Sequence, residues 1–418
     1  MATIQNHLLS FSVLALLNAH LPASLAHTHL NLSSKQLTIH DFTDYDGVFV
    51  YKDIEGDATL ATDGSVRLEF ENHSAISSED EWIETVFFRQ SGGKLNSENS
   101  LSIELKARNV QSAVGIESNF IDGFITQNSH HLNLSLNASS TTQTLENAVT
   151  WAINDSVLTN DQLPEVIDIK LQTQGLADDA IANALQVSES TVNYKGTLRL
   201  SAQDLDQNEK VYALRLYGSQ FHFESLGNSV IKGDVRLNQN SKLYLHLSHA
   251  SDLFEGRIVN SAYESAQSHI VLSSSAKWIT HGDNALNRFD WKKDGILDLT
   301  HAQDTVRINN HNLYSDCTST TRIENGAILR VNIRDSDIGS NHYKLELGEV
   351  SPITSDGSRV FVEIIDSRTD KTTDEINVGL ISVENVDDSH SKFFAEALPS
   401  YYETALGSFK TQGAIGTD

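Results

Sequence analysis

The chain has 418 residues, with 56 Asp and Glu against 30 Lys and Arg and a formal charge of −26. That balance argues against a nucleic-acid partner, which needs a basic face to neutralise phosphates, and against docking on anionic lipid. One cysteine, Cys317, excludes an internal disulfide and a multi-thiolate zinc site, while 39% hydrophobic residues suffice for a core.

Residues 1–26 read as an export signal. Residues 8–17, LLSFSVLALL, form a short apolar run, Pro22 breaks it, and Ser24 and Ala26 are the small residues of a cleavage site after Ala26. The run is too short to span a bilayer, and no later segment stays apolar for 18 residues. MATIQNH lacks Lys and Arg, so the competing reading is a buried amino-terminal helix. The mature chain would open His27-Thr28-His29. A free amine with histidine at the third position can chelate Cu(II) or Ni(II), but the simpler reading is a frayed polar terminus.

From about residue 30, short alternating runs recur: SVRLEFEN (65–72), LSIELKA (101–107), HLNLSLNA (131–138), GTLRLSA (196–202), VYALRLYG (211–218), GDVRLNQ (233–239) and KLYLHLS (242–248). Period two puts one face in and one face out. The chain holds 4 prolines, where roughly 20 would be usual. Proline cannot donate to a ladder, so its scarcity points to strands paired on both sides. The expected fold is all-β, a right-handed parallel β-helix (solenoid) with a partly helical insertion; a large β-sandwich is the competitor. Coils of about 20–25 residues would stack into roughly 14 layers, a rod on the order of 70 Å long.

The insertion is expected at 141–192. TLENAVTWAIND (144–155) has Leu145, Ala148, Val149, Ala152 and Ile153 on one helical face, and LADDAIANALQV (176–187) repeats this with Leu176, Ala180, Ile181, Ala184 and Leu185; IDIKL (167–171) reads as a strand between them. Residues 175–195 also carry a superficial helix-turn-helix likeness through Ala182, Leu185, Val187, Ser188, Thr191 and Val192. Only Lys195 is basic there, against Asp178, Asp179 and Glu189, which argues against DNA binding.

Two segments begin or end like calcium loops. DLDQNE (204–209) has Glu209 where glycine belongs and Arg215 where the last glutamate belongs; DSDIGSNHYKLE (335–346) ends on Glu346 but has Gly339 one place early. Both read as turns. Cys317 sits in a polar turn, YSDCTSTT, without a nucleophile signature, and no metalloprotease, P-loop, serine-hydrolase or dinucleotide motif occurs. No catalytic, cofactor-binding or metal-binding residues are therefore assigned.

A resemblance enters in the carboxy-terminal third. SSSAKWITHGDNALNRFDWKKDGILDLTH (273–301) carries a strand at Trp278 and then Trp291, Gly295, Leu297, Asp298 and Leu299 in a W-x-x-x-G-x-L-D-L pattern. ENGAILRVNI (324–333), YKLELGEV (343–350), RVFVEII (359–365) and VGLISVENV (378–386) follow. Residues 250–390 resemble the pertactin-like end of autotransporter passenger domains; residues 30–140 share only the β-helix pattern. The resemblance implies a passenger over 27–290 and a folding nucleus over 291–386. Residues 387–418 would be a tail or a linker to an outer-membrane β-barrel, for which this sequence leaves no room after residue 390. It further implies a protein exported through the periplasm to the cell surface, outer membrane or medium, adhesin-like and without catalysis. Its partner would be a surface receptor or glycan on host or bacterial cells, with no nucleic acid. The alternative is a polysaccharide lyase or hydrolase on the same fold, which needs paired carboxylates or a basic residue grouped on one coil face.

Overall fold

The computed structural model describes residues 28–397 except 63–64, 73–82, 98–99, 127–130, 142–143, 207–209, 261–265, 310–318, 339–341, 353–357, 370–377 and 387–392, together with 402–404 and 407–409. The export signal and most of the tail lie outside the described residues.

The described chain is nearly all strand and winds as a parallel β-solenoid. Its longest face is a stack of thirteen parallel strands: Lys35–Leu37, Ser65–Glu71, Leu101–Arg108, His131–Ser139, Val166–Gln174, the second half of Thr191–Asp204, Val230–Lys232, Leu253–Glu255, Lys277–Ile279, Ile296–Asp298, Ala327–Ile333, Ser358–Asp366 and Phe393–Ala397. The register keeps like beside like. Val66, Ile103, Leu134, Ile169, Leu200, Ile231, Phe254, Trp278, Leu297, Leu329 and Val362 form one inward column. All are at most 2% exposed, within a core cluster that continues from Leu32 to Ile381. Twelve strand steps make this face about 60 Å long. The coils are less regular than the sequence pattern implies. One turn takes 37 residues from Val66 to Ile103 but 19 from Trp278 to Leu297. Of the prolines, Pro164 falls between strands and Pro352 ends the strand Tyr343–Pro352, positions where a missing N–H costs little.

A second face is bent. Its strands Val48–Glu55, Glu84–Ser91, Ser112–Asn119, Leu145–Asn154, Leu176–Ser188, Val211–Tyr217, Asp234–Asn238 and Ile258–Asn260 stack in parallel. In most of them the pairing skips one residue at the same level: Phe87, Gly115, Thr150, Ala184 and Ala213. At this crease a Cβ on Gly115 would lie 2.4 Å from the Thr150 carbonyl oxygen, so only glycine fits.

The crease corrects the expected helical insertion. Residues 145–154 and 176–188 are strands of the fourth and fifth coils, in register with 112–119 before them and 211–217 after them. A bulge near Leu145 and the skipped residue shift the inward parity, so Leu145, Ala148, Trp151 and Ile153 all reach the core. Spacings of three, three and two imitate a helical stripe. Asp178 and Asp179 mark extra residues in the bulge of the following strand, and both are exposed.

The third face carries Gln220–Ser225, Lys242–Leu247, Gln267–Leu272, Arg288–Trp291 and Thr320–Ile323, preceded by the first half of Thr191–Asp204, which bends from this face into the longest one. Where the bent face turns into it, a buried serine ladder replaces apolar packing. The amides of Ile121, Ser156 and Ser190 donate to the hydroxyls of Ser156, Ser190 and Ser219 at 3.0, 2.9 and 3.1 Å. Each hydroxyl donates in turn to the carbonyl two residues back, at 2.7, 2.7 and 2.8 Å. These turns place Asp155 and Glu189 at positive φ, and the serines satisfy the backbone groups that such turns leave over. Ser190→Ala should orphan the buried Ser156 amide and cost about 1–3 kcal/mol in urea unfolding; a cost below the range of surface substitutions would mean that water enters the ladder.

In the carboxy-terminal coils Trp291, Leu297, Leu299, Val331, Leu345, Leu347, Val360, Val362 and Ile381 are buried, as the alternation implies, but Ile328 points outward because Ala327 and Leu329 occupy the inward positions on either side. Leu299→Ala should destabilise by about 2–5 kcal/mol. Slower refolding would support the expected nucleus over 291–386; faster unfolding with refolding unchanged would reduce that region to a cap.

Candidate functional site

The register of the third face assembles an outward cluster that no short motif announces. Inward, Tyr194, Phe223, Leu245, Ile270 and Phe289 stack in the core. Their neighbours must therefore face out. Asn193, His222, Tyr244, His269, Arg288 and Thr320 form one outward column, and Lys195, Glu224, His246, Val271, Asp290 and Arg322 the next. The His222 and Tyr244 rings stack with centroids 4.2 Å apart, and His269 meets Tyr244 edge-on at 4.9 Å. His246 lies 6.3 Å from the same tyrosine. Asp290 accepts from Arg288 at 2.8 Å and lies 3.1 Å from His269 Nε2; Lys195 Nζ reaches Glu224 at 2.9 Å.

Burial sets the charge states. It holds His222 and His246 below their ordinary 6.5, with Lys292 adding to the effect at His246. Burial pushes Tyr244 up, so its hydroxyl stays protonated. At Asp290 burial acts upward, but the bonds from His269 and Arg288 outweigh it and hold the carboxyl below its ordinary 3.8. A histidine depressed on folding binds fewer protons in the native state. Its contribution is complete above 6.5 and is lost as pH falls through the folded value. The melting temperature should therefore drop between about pH 7 and pH 5, and His222→Gln/His246→Gln should shrink that drop. An identical drop in the variant would assign it to other groups.

The residues singled out from sequence lie elsewhere. His29 is exposed on the first described strand, while His27 and Cys317 lie outside the described residues. Asp204 accepts from Thr173 and from the Asp206 amide, and Asp206 from the Gly175 amide, as turn carboxylates do. Arg215 lies within the strand Val211–Tyr217 of the bent face. Asp337 is held by Lys344 at 2.6 Å and by the Arg334 amide, and Glu346 by Arg307 at 2.7 Å. Among the described residues no group of three or more His, Cys, Asp or Glu is placed to hold a metal ion. The helix-turn-helix likeness falls on two core-forming strands, 176–188 and 191–204. The missed cluster had one local sign: in KLYLHLS the leucines claim the inward positions, which leaves Lys242, Tyr244 and His246 outside.

Fold and surface together define a parallel β-solenoid with an aromatic and cationic lateral strip. Compared with models of known families, with curated proteins and with solved structures, the chain matches none.

Proposed function

We propose that this protein is a non-catalytic, exported binding rod of the autotransporter-passenger type, adhesin-like, acting at a cell surface or in the medium. The observation that supports it most is the continuous parallel stack about 60 Å long with an unbroken core. Such a rod is stiff, holds its ends apart and offers lateral faces for binding. The export pattern of residues 8–26 and the passenger-like succession over 250–390 agree with this reading. Expression with an epitope tag, followed by fractionation and amino-terminal sequencing, tests it: mature protein beginning at His27 outside the cytoplasm and binding to whole cells is the expected result. Retention of residues 1–26 in the cytoplasm would refute it.

One observation favours the second reading, a polysaccharide lyase or hydrolase: His269 beside Asp290, with Arg288 and Tyr244 at hand. A base and a charge-neutralising group on one coil face are what such chemistry requires. Release of reducing or unsaturated ends from glycans by the purified chain would reverse the ranking.

A further inference from the structure

We propose that the outward third face between Lys195 and Arg322 binds a linear acidic polysaccharide laid along the rod, and that His222 and His246 make this binding stronger in acid. The inference rests on the binding-rod reading and names the partner class of that rod.

Charge is the first argument. This strip carries Lys195, Lys242, Arg288, Lys292 and Arg322 against Glu224, Asp290 and Glu324, a local excess of cations on a chain of formal charge −26. All three carboxylates are already bonded, Glu224 by Lys195, Asp290 by Arg288 and Glu324 by the Lys293 amide. The side chains of Lys242, Lys292 and Arg322 make no ion pair among the described residues. Surface cations left unpaired in an acidic protein favour an anionic partner at this place and repel it elsewhere.

Geometry is the second. Six parallel strands, from 191–196 to 320–323, present these groups in straight columns. Five strand steps give a track of about 24 Å, held by main-chain ladders and so organised before any ligand arrives. A linear chain of repeating anionic units fits a linear row of repeating donors.

Chemistry separates the kinds of polyanion. Between the cations lie neutral hydrogen-bonding groups: Asn193, Gln220 and Gln267 are exposed, and the Tyr244 hydroxyl makes no hydrogen bond among the described residues. These suit sugar hydroxyls. A nucleic-acid duplex carries a charge about every 1.7 Å and needs far more cations than this strip offers. The imidazoles add a pH dependence. Burial keeps His222 and His246 uncharged at neutral pH; the groups around them are Glu224, Lys292, Asp252 and His269. A bound carboxylate or sulfate favours the imidazolium, so binding takes up protons and tightens as pH falls below 6.5.

The test uses the full chain with polygalacturonate and heparin as probes, and with dextran and duplex DNA as comparisons. Binding to an acidic polysaccharide should be at least about tenfold tighter near pH 5 than near pH 7.5, and absent for dextran. Lys242→Gln/Lys292→Gln/Arg322→Gln should lose about tenfold or more at both pH values with an unchanged melting profile. His222→Gln/His246→Gln should lose the pH dependence. No binding to either probe, binding unaltered in the lysine-arginine variant, or tighter binding to DNA would overturn the proposal. If the chain still bound cells or neutral glycans in those cases, the adhesive reading would stand alone. Cleavage of a bound acidic polysaccharide would keep this partner and overturn the non-catalytic reading instead.

Discussion

Trp278→Ala is expected to cost about 3–5 kcal/mol of stability. Trp278 is fully buried and stacks on Phe254 at 5.7 Å, with Phe289 edge-on at 5.4 Å and Phe289 stacked in turn on Trp291 at 5.6 Å. Its indole N–H donates to the Gly256 carbonyl at 3.0 Å. Alanine would leave a cavity bounded by rigid ladders above and below, which cannot collapse into it. Each lost aromatic contact adds about 0.5–1.5 kcal/mol beyond the area term. Trp278→Phe should recover most of the packing and lose about 1 kcal/mol for the unpaired carbonyl. Because coils couple to nearest neighbours, hydrogen exchange in the variant should rise first over 253–291. A uniform rise along the rod would mean that the solenoid unfolds as one unit.

Asp252→Ala is expected to leave the fully buried Ser229 amide without an acceptor, at about 1–3 kcal/mol, and to strip the part-buried Ser248 and His249 amides of a charged partner, while the Ser225 hydroxyl can turn to Ser229 Oγ at 2.8 Å. Asp252 is 1% exposed. One carboxylate oxygen accepts from the Ser225 hydroxyl at 2.7 Å and the Ser229 amide at 3.1 Å, the other from the Ser248 and His249 amides at 3.0 Å each. The carboxylate thus ties the turns of two successive coils together. Both oxygens face donors, so Asp252→Asn must turn its NH2 group against N–H or O–H groups on one side. The asparagine variant should therefore recover little of the lost stability. Near-complete recovery in thermal melts would show that the turn rearranges to accept the amide.

These two effects differ in how far the sequence foretold them. The apolar stripe at Trp278 follows from alternation, because a strand with one face buried must place every second side chain inside. The part played by Asp252 does not, since it depends on donors from 225, 229, 248 and 249 meeting at one point. The helical reading of 144–155 and 176–187 failed for a related reason. A crease shared by neighbouring strands moves the inward parity, and a single strand read alone cannot reveal a shift that exists to match its neighbours.

By itself the sequence determined the all-β class, the stacking habit and most inward residues, because period two and the shortage of proline act on each strand locally. Only the tertiary structure decided the coil lengths and the candidate site. His222, Tyr244, His269 and Arg288 are separated by 22, 25 and 19 residues along the chain, and become neighbours only through the register of four parallel strands. Coils of unequal length conceal that register, because loops absorb the difference while main-chain hydrogen bonds and the buried column hold the strands in step.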